Sequence, residues 1–240
     1  MFLPLHDGVP LRHLKAPIAT RALIGACIAG YAVVALGLLP YGDDWIIAGF
    51  GLIPPVLFGT EALPEGLPFV PAPLTLVTSL FLHGSLLHLA GNMLFLWVFG
   101  DNVEDAMGHL RFVAFYLLSG AAAGLAHAWI SPEEMRPLIG ASGAVAGVVA
   151  AYLILYPRVK VWALFLKGIP LKVPAALAIG FWIFLQVAAA FLGGDENVGW
   201  YAHLGGLAAA ALTPLMRRRY DPVLARIEAT QARAEPTLPL

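Results

Sequence analysis

The chain has 240 residues, 60% of them hydrophobic and only 12% charged, with a formal net charge of −1. A soluble domain carries about 25% charged residues, and here the apolar residues gather into long runs, so the composition excludes an ordinary water-soluble fold and identifies an integral membrane protein. No basic patch interleaved with aromatics points to nucleic acid, and the single Cys27 excludes a disulfide framework or a cysteine-based metal cluster.

Taken in chain order, residues 1–17 have no short apolar core followed by a small-residue cleavage site. No removable signal peptide is expected, and the first apolar run is expected to direct insertion. A spanning helix needs about 20 apolar residues, fewer where one end is sunk within protein. Six segments qualify: Ile18–Leu39, Leu86–Gly100, Leu110–Ile130, Ala141–Tyr156, Val173–Leu192 and Gly199–Met216. The predicted architecture is all-α, six transmembrane helices over residues 18–216, with a short segment 1–17 before them and a polar tail 217–240 after them. The run Val159–Leu166, bounded by Arg158, Lys160 and Lys167, is expected as an interfacial lead-in to the fifth helix. The loop 40–85 lacks Lys and Arg and is rich in Pro, Gly, Leu and Phe. It is expected to lie half in the interface, as an anchoring flange or as a gate.

Orientation follows from Lys and Arg, which accumulate on the cytoplasmic side. Six spans place both termini on one side, and 13 of the 14 basic residues fall there, with only Arg136 opposite. Both termini are therefore predicted cytoplasmic and the loop 40–85 external.

That topology sets polar side chains at one depth. Ser142 opens the fourth span, His203 lies at the outer end of the sixth, and His83, His88 and Asn92 at the outer end of the second. His88 and Asn92 are four residues apart and share a helix face. Polar side chains within a membrane usually face the protein interior and mark function. The fourth span has 16 residues, about 24 Å against roughly 30 Å of hydrocarbon, so Ser142 is expected below the membrane surface in a hydrated cavity. Gly143–Gly147 and Gly205–Ala210 give the fourth and sixth helices small faces that permit close approach.

A serine hydroxyl becomes a nucleophile when an imidazole takes its proton, and attack on a peptide carbonyl builds an oxyanion that needs donors aimed at it. Ser142 and His203 fit the first role. His88, Asn92 and the Ser142 backbone N–H at a helix N-terminus fit the second. No acidic residue is placed to complete a triad, so a dyad is expected. Singly, each residue has an ordinary reading: Ser142 as a small packing residue, His203 and Asn92 as interhelical hydrogen-bonding groups, His83 and His127 as structural anchors.

Together the motifs resemble those of the rhomboid family of intramembrane serine proteases over about residues 73–216. They are His83-Gly84-Ser85-Leu86-Leu87-His88-Leu89-Ala90-Gly91-Asn92, Gly140-Ala141-Ser142-Gly143 and Ala202-His203-Leu204-Gly205-Gly206, with Gly100-Asp101-Asn102-Val103-Glu104-Asp105 similar to the family's turn after helix two. The resemblance implies a minimal six-span rhomboid fold, of bacterial type, in a cell membrane. It implies Ser142 as nucleophile, His203 as general base and an oxyanion hole of His88, Asn92 and the Ser142 amide, with His83, Gly140, Gly143 and Gly206 in support. The implied substrates are single-pass transmembrane proteins cut near the outer boundary of the bilayer, without metal or cofactor.

The chain departs from the family's pattern at four places. The Glu-x-Arg pair is Glu104-Asp105-Ala106, the Trp-Arg pair of the first external loop falls at about Leu74-Thr75, the aromatic four residues after the serine is Ala146, and the second glycine of the helix-six pattern is Ala210. These bear on loop stability and on the positioning of His203, hence on rate rather than reaction class. Two other functions compete: an inactive rhomboid-like binder of transmembrane clients, and a metal or proton transporter lined by His83, His88, His127 and His203. Transporters usually add intramembrane carboxylates, which these spans lack. The fifth helix, with Phe181, Trp182, Phe184 and Gln186, is the expected gate.

Overall fold

The computed structural model describes residues 3–67, 69–165, 169–194 and 198–217. Each of the six expected spans holds a helix. These are α1 (Ile18–Ala35), then, after a loop carrying α2 (Asp43–Phe50), α3 (Pro54–Phe58) and α4 (Thr75–Thr78), α5 (Leu86–Met107), α6 (His109–Ile130), α7 (Ser142–Leu155), α8 (Ala175–Leu192) and α9 (Trp200–Ala209). A tight turn at Ala210–Leu212 carries α9 into α10 (Thr213–Met216). The tail expected beyond Arg217, with Lys167, Asp195 and Glu196, lies outside the described residues.

α1, α6 and α8 are each long and apolar enough to cross a bilayer, and α5 qualifies together with the helical stretch 72–81, from which it bends by 85°. The chain is a multi-pass membrane protein. α7 is apolar but has only 14 residues, about 21 Å of helix, so it cannot span the hydrocarbon unaided. Every residue from Gly143 to Tyr152 is buried, because a helix that is apolar all round belongs in the interior. α5, α6 and α9 surround α7, α1 packs outside α5, and α8 is peripheral. Cys27 is fully buried on α1, its thiol against the Leu80 carbonyl, a packing residue as its setting predicts.

The end of the bundle holding the α5–α6 turn is closed by carboxylates reaching across long sequence separations. α1 has no side-chain cap of its own at Pro17, and four N–H groups at a helix start lack intrahelical partners. The buried Glu104 supplies the cap in trans. Its carboxylate accepts from the backbone N–H groups of Ala19 at 2.9 Å and Thr20 at 2.7 Å and from the Thr20 hydroxyl at 2.7 Å, and it also meets His109 Nδ1. Asp105 accepts from the N–H groups of Arg12, His13 and Leu14 at 3.0, 2.8 and 2.7 Å. The arginine missing at Ala106 is thus offset: both acids are engaged with backbone donors. Asp7 accepts from Asn102 at 2.7 Å and from the Tyr152 hydroxyl at 2.9 Å, tying the N-terminal segment to α5 and α7. Burial pushes its carboxyl above the ordinary range, against the lowering pull of its Val9 and Tyr152 hydrogen bonds. Replacing Glu104 by alanine orphans two buried N–H groups and is expected to cost about 3 kcal/mol, read as a lower melting temperature in detergent.

A small sheet lies at the same end. Within the run expected as a lead-in to the fifth helix, Lys160–Phe165 is a strand, β2, between β1 (Leu3–His6) and β3 (Ile169–Pro174) in an antiparallel arrangement that the sequence did not predict. Leu3 pairs with Leu164, and Trp162 with Lys172. The physical reason is alternation. Val161 and Ala163 are buried while Lys160 and Trp162 are exposed, the period of a half-buried strand. The sheet is an addition to an otherwise helical fold.

The loop 40–85 folds onto the opposite end. Leu52 is buried and exchanges backbone hydrogen bonds with Leu138, at 3.0 and 2.8 Å. The Thr78 hydroxyl donates to the Phe50 carbonyl at 2.6 Å, and Phe50 stacks on Phe69 at 5.3 Å between centroids. The loop is therefore fastened to the segment that leads into α7.

Candidate active site

The starts of α5, α7 and α9 share the end of the bundle away from the sheet. α7 starts at Ser142 and carries Tyr152, which contacts Asp7, near its far end, and α5 starts after Ser85 and carries Asp105, which caps residues 12–14, near its far end. Ser85 caps α5, its Oγ accepting the His88 N–H at 3.1 Å. This fixes the first turn, from which His88 and Asn92 project on one face.

Between α5 and α7 the chain passes through Gly140. Its φ of +116° is one that residues with a β-carbon rarely adopt. Its N–H donates to the Ser79 carbonyl at 2.9 Å, which holds the turn against the 72–81 stretch. A β-carbon here would lie 2.6 Å from His88 Cε1, 2.7 Å from His88 Nε2 and 3.8 Å from Asn92 Nδ2. The backbone that delivers Ser142 therefore lies directly on the His88 ring and beside the Asn92 amide. Asn92 is buried, and its Nδ2 has no hydrogen-bond partner among the described residues. A buried, unsatisfied donor is costly, and this one faces the turn that precedes Ser142. Ser142 is the first residue of α7, so its own N–H has no intrahelical acceptor.

α9 meets α7 at nearly the closest distance two backbones allow. A β-carbon on Gly206 would lie 1.9 Å from the Gly143 carbonyl oxygen, and one on Gly143 would lie 3.3 Å from the Ala202 carbonyl oxygen and 2.4 Å from the Ala123 β-carbon of α6. Gly143 is thus seated between residues 202 and 206 of α9. Ser142 precedes Gly143, and His203 lies one turn before Gly206, so both residues belong to the α7–α9 contact. Both are half-buried.

His203 is held on two further sides. Its Nδ1 lies 2.7 Å from Gln186 Oε1 of α8, and the Trp200 ring meets it edge to face, with 5.7 Å between centroids. Neither partner was assigned to His203 from the sequence. Gln186 was legible as a candidate, being the one amide side chain in the 18 residues of α8, where lipid makes such a group expensive. The expected gate set divides accordingly: Phe181 and Phe184 are exposed and stacked on each other, Trp182 packs on Phe95 of α5, and Gln186 is buried against His203.

His83 is buried with its ring 5.2 Å from that of His88 in a T-shaped contact, behind the face turned to Gly140. His127 is buried in the last turn of α6. Among the described residues no three His, Cys, Asp or Glu side chains come together as a metal site.

Residues 72–220 match the family model for the Rhomboid domain, a stretch that includes every residue of the cluster. The chain is similar to RHOMBOID-like protein 12, mitochondrial, of Arabidopsis thaliana, 29% identical over 58% of this chain and 44% of that protein. It is also similar to Rhomboid protein 1, mitochondrial, of Saccharomyces cerevisiae, 30% identical over 58% of this chain and 40% of that protein. Presenilin-associated rhomboid-like protein, mitochondrial, of Mus musculus is 32% identical over 55% of this chain and 34% of its own length. The chain spans less than half the length of these curated relatives. With a match over most of its length and a helical membrane fold around the matched motifs, the chain belongs to the rhomboid family.

Proposed function

We propose that the chain is an intramembrane serine endopeptidase that hydrolyses peptide bonds in or near transmembrane segments of single-pass membrane proteins. The observation that carries this reading is the convergence at Gly140–Gly143. The His88 ring and the Asn92 Nδ2, without a partner among the described residues, lie beside Gly140, and the α9 backbone that carries His203 packs on Gly143, which supports a shared site.

In this mechanism neutral His203 takes the proton of Ser142 through Nε2 as Oγ attacks the scissile carbonyl carbon. The oxyanion that forms is stabilised by His88, Asn92 and the Ser142 N–H, donors fixed before the charge develops. Collapse breaks the C–N bond. The departing amine takes the proton from His203, leaving the substrate acyl group on Ser142. Water, deprotonated by the same imidazole, hydrolyses the ester and restores the hydroxyl. His83 packs behind His88 and supports its orientation. No step calls for a metal or cofactor.

Substrate access is through the bilayer. The positive-inside distribution supports a cell-membrane protein with both termini cytoplasmic and the site opening to the extracytoplasmic side, the arrangement of a bacterial inner-membrane member. The test is cleavage of a labelled single-pass substrate by the purified protein in detergent with chelator present, beside Ser142→Ala. Cutting by the wild type alone is expected. Equal cutting by both overturns the assignment of the nucleophile, and client binding without cutting by either would make the chain a non-hydrolytic receptor for transmembrane helices.

A further inference from the structure

We propose that Gln186 on α8 is a positioning residue for the base, its side-chain oxygen accepting the His203 Nδ1–H so that the Nε2 lone pair is presented to Ser142. The inference rests on the Ser142–His203 reading above.

A neutral imidazole carries one proton, and the bond made by one ring nitrogen decides which nitrogen holds it. His203 can serve as a base toward Ser142 only if Nε2 is bare, which requires the proton on Nδ1. Gln186 Oε1, 2.7 Å away, is an acceptor that enforces this tautomer. An amide turned the other way would donate to Nδ1, move the proton to Nε2 and leave nothing to receive the serine proton. Three features fix the useful arrangement. Gln186 is only 7% exposed, so water does not compete for Nδ1. Among the described residues His203 Nδ1 has no carboxylate partner. Trp200 abuts the ring edge to face, limiting its rotation from a second direction.

The choice of an amide follows from the setting. A carboxylate here would have to be desolvated beside lipid-facing Phe181 and Phe184, both exposed on the same helix, whereas an amide is far less costly to bury. The aromatic expected four residues after the serine is Ala146, which is buried in the bundle and cannot stack on the imidazole. Gln186 and Trp200 together hold the ring instead. Because α8 is peripheral and few of its side chains are buried, the orientation of the base depends on α8 being docked.

The experiment uses the full chain in detergent, with ring-nitrogen NMR of labelled histidine and His203→Ala to assign the signals. The wild type is expected to show His203 protonated at Nδ1 and bare at Nε2, and Gln186→Leu to shift the population toward protonated Nε2. Kinetically, Gln186→Leu is expected to lower kcat about 10- to 100-fold with KM within about twofold, since one part of the proton-transfer machinery is misaligned while binding is untouched. Gln186→Glu keeps an acceptor and is expected to recover most of kcat. Its carboxylate favours the imidazolium, so His203 loses its basic form at a higher pH and the acid limb of kcat/KM moves up by about one unit. Gln186→Ile serves as the second acceptor-free variant should leucine lower the yield of folded protein. A wild-type spectrum with the proton on Nε2 overturns the proposal, as does wild-type kcat in both acceptor-free variants. If Ser142→Ala cuts like the wild type, the dyad reading fails while the NMR result still decides the tautomer.

Discussion

Ser142→Ala and His203→Ala are each expected to lower kcat by roughly 10⁵-fold, and the double variant to fall no further. The shared floor is the informative part. The serine and the imidazole act as one unit: without the hydroxyl there is nothing to deprotonate, and without the imidazole the hydroxyl stays a poor nucleophile. What survives at the floor is what Asn92, His88 and the α7 N-terminus contribute by holding the carbonyl in a field of donors. KM is expected to stay within about threefold in all three variants, since neither side chain makes binding contacts on which the ground state depends. The measurement is initial rates on the labelled transmembrane substrate under saturating conditions, with covalent labelling by a serine-directed phosphonate as a second readout. Labelling should vanish in Ser142→Ala and be strongly slowed in His203→Ala. Additive losses in the double variant would mean that the two residues act in separate steps, and the mechanism above would have to be abandoned.

How far the sequence carried the interpretation depends on the distance over which each interaction acts. The helices were legible because a bilayer imposes a length, and the apolar runs Ile18–Leu39 and Val173–Leu192 supply it within one window. The short α7 was legible for the same reason, and its 14 residues make it shorter still than the run that announced it. A close approach of α7 and α9 could be reasoned from their small residues, and Gly143 and Gly206 do bring the two helices together.

The sheet was not legible, because the strand signal at Lys160–Phe165 is six residues long, and of its two partners Ile169–Pro174 runs directly into the apolar stretch of α8 while Leu3–His6 lies at the far end of the chain. The roles of Glu104 and Asp105 were hidden in the same way, since the N–H groups they satisfy are 84 to 93 residues away in sequence. The losses at Ala106 and Ala146 looked like weaknesses, because the sequence names what is missing and not what has moved in. In the fold, backbone donors occupy the acids beside Ala106, and Gln186 with Trp200 holds the imidazole that Ala146 leaves uncovered.

The close fit of α9 against α7 leads to the largest effect expected from a residue with no chemistry of its own. Gly206→Ala places a methyl group 1.9 Å from the Gly143 carbonyl oxygen. Backbone cannot yield as a side-chain tip does, so α9 must move off α7 by an ångström or so, and overpacking of this kind costs about 1–3 kcal/mol. The catalytic consequence is larger than the structural one. His203 is one turn from Gly206 and Ser142 adjoins Gly143, so the same displacement opens the gap across which the proton must pass, and a misplacement of about 1 Å costs on the order of 100-fold in rate. Gly206→Ala is therefore expected to lower kcat about 100-fold while the protein still folds and inserts, with a reduced melting temperature. Gly180→Ala is the matched control: it lies in α8 with nothing within 4 Å of its would-be β-carbon. Removing a helical glycine there should leave kcat unchanged and stability equal or slightly raised, by about 0.5–1 kcal/mol. If Gly206→Ala cleaved at the wild-type rate, α7 and α9 would have to be able to separate without parting Ser142 from His203, and the glycine contact would not be what sets the geometry of the dyad.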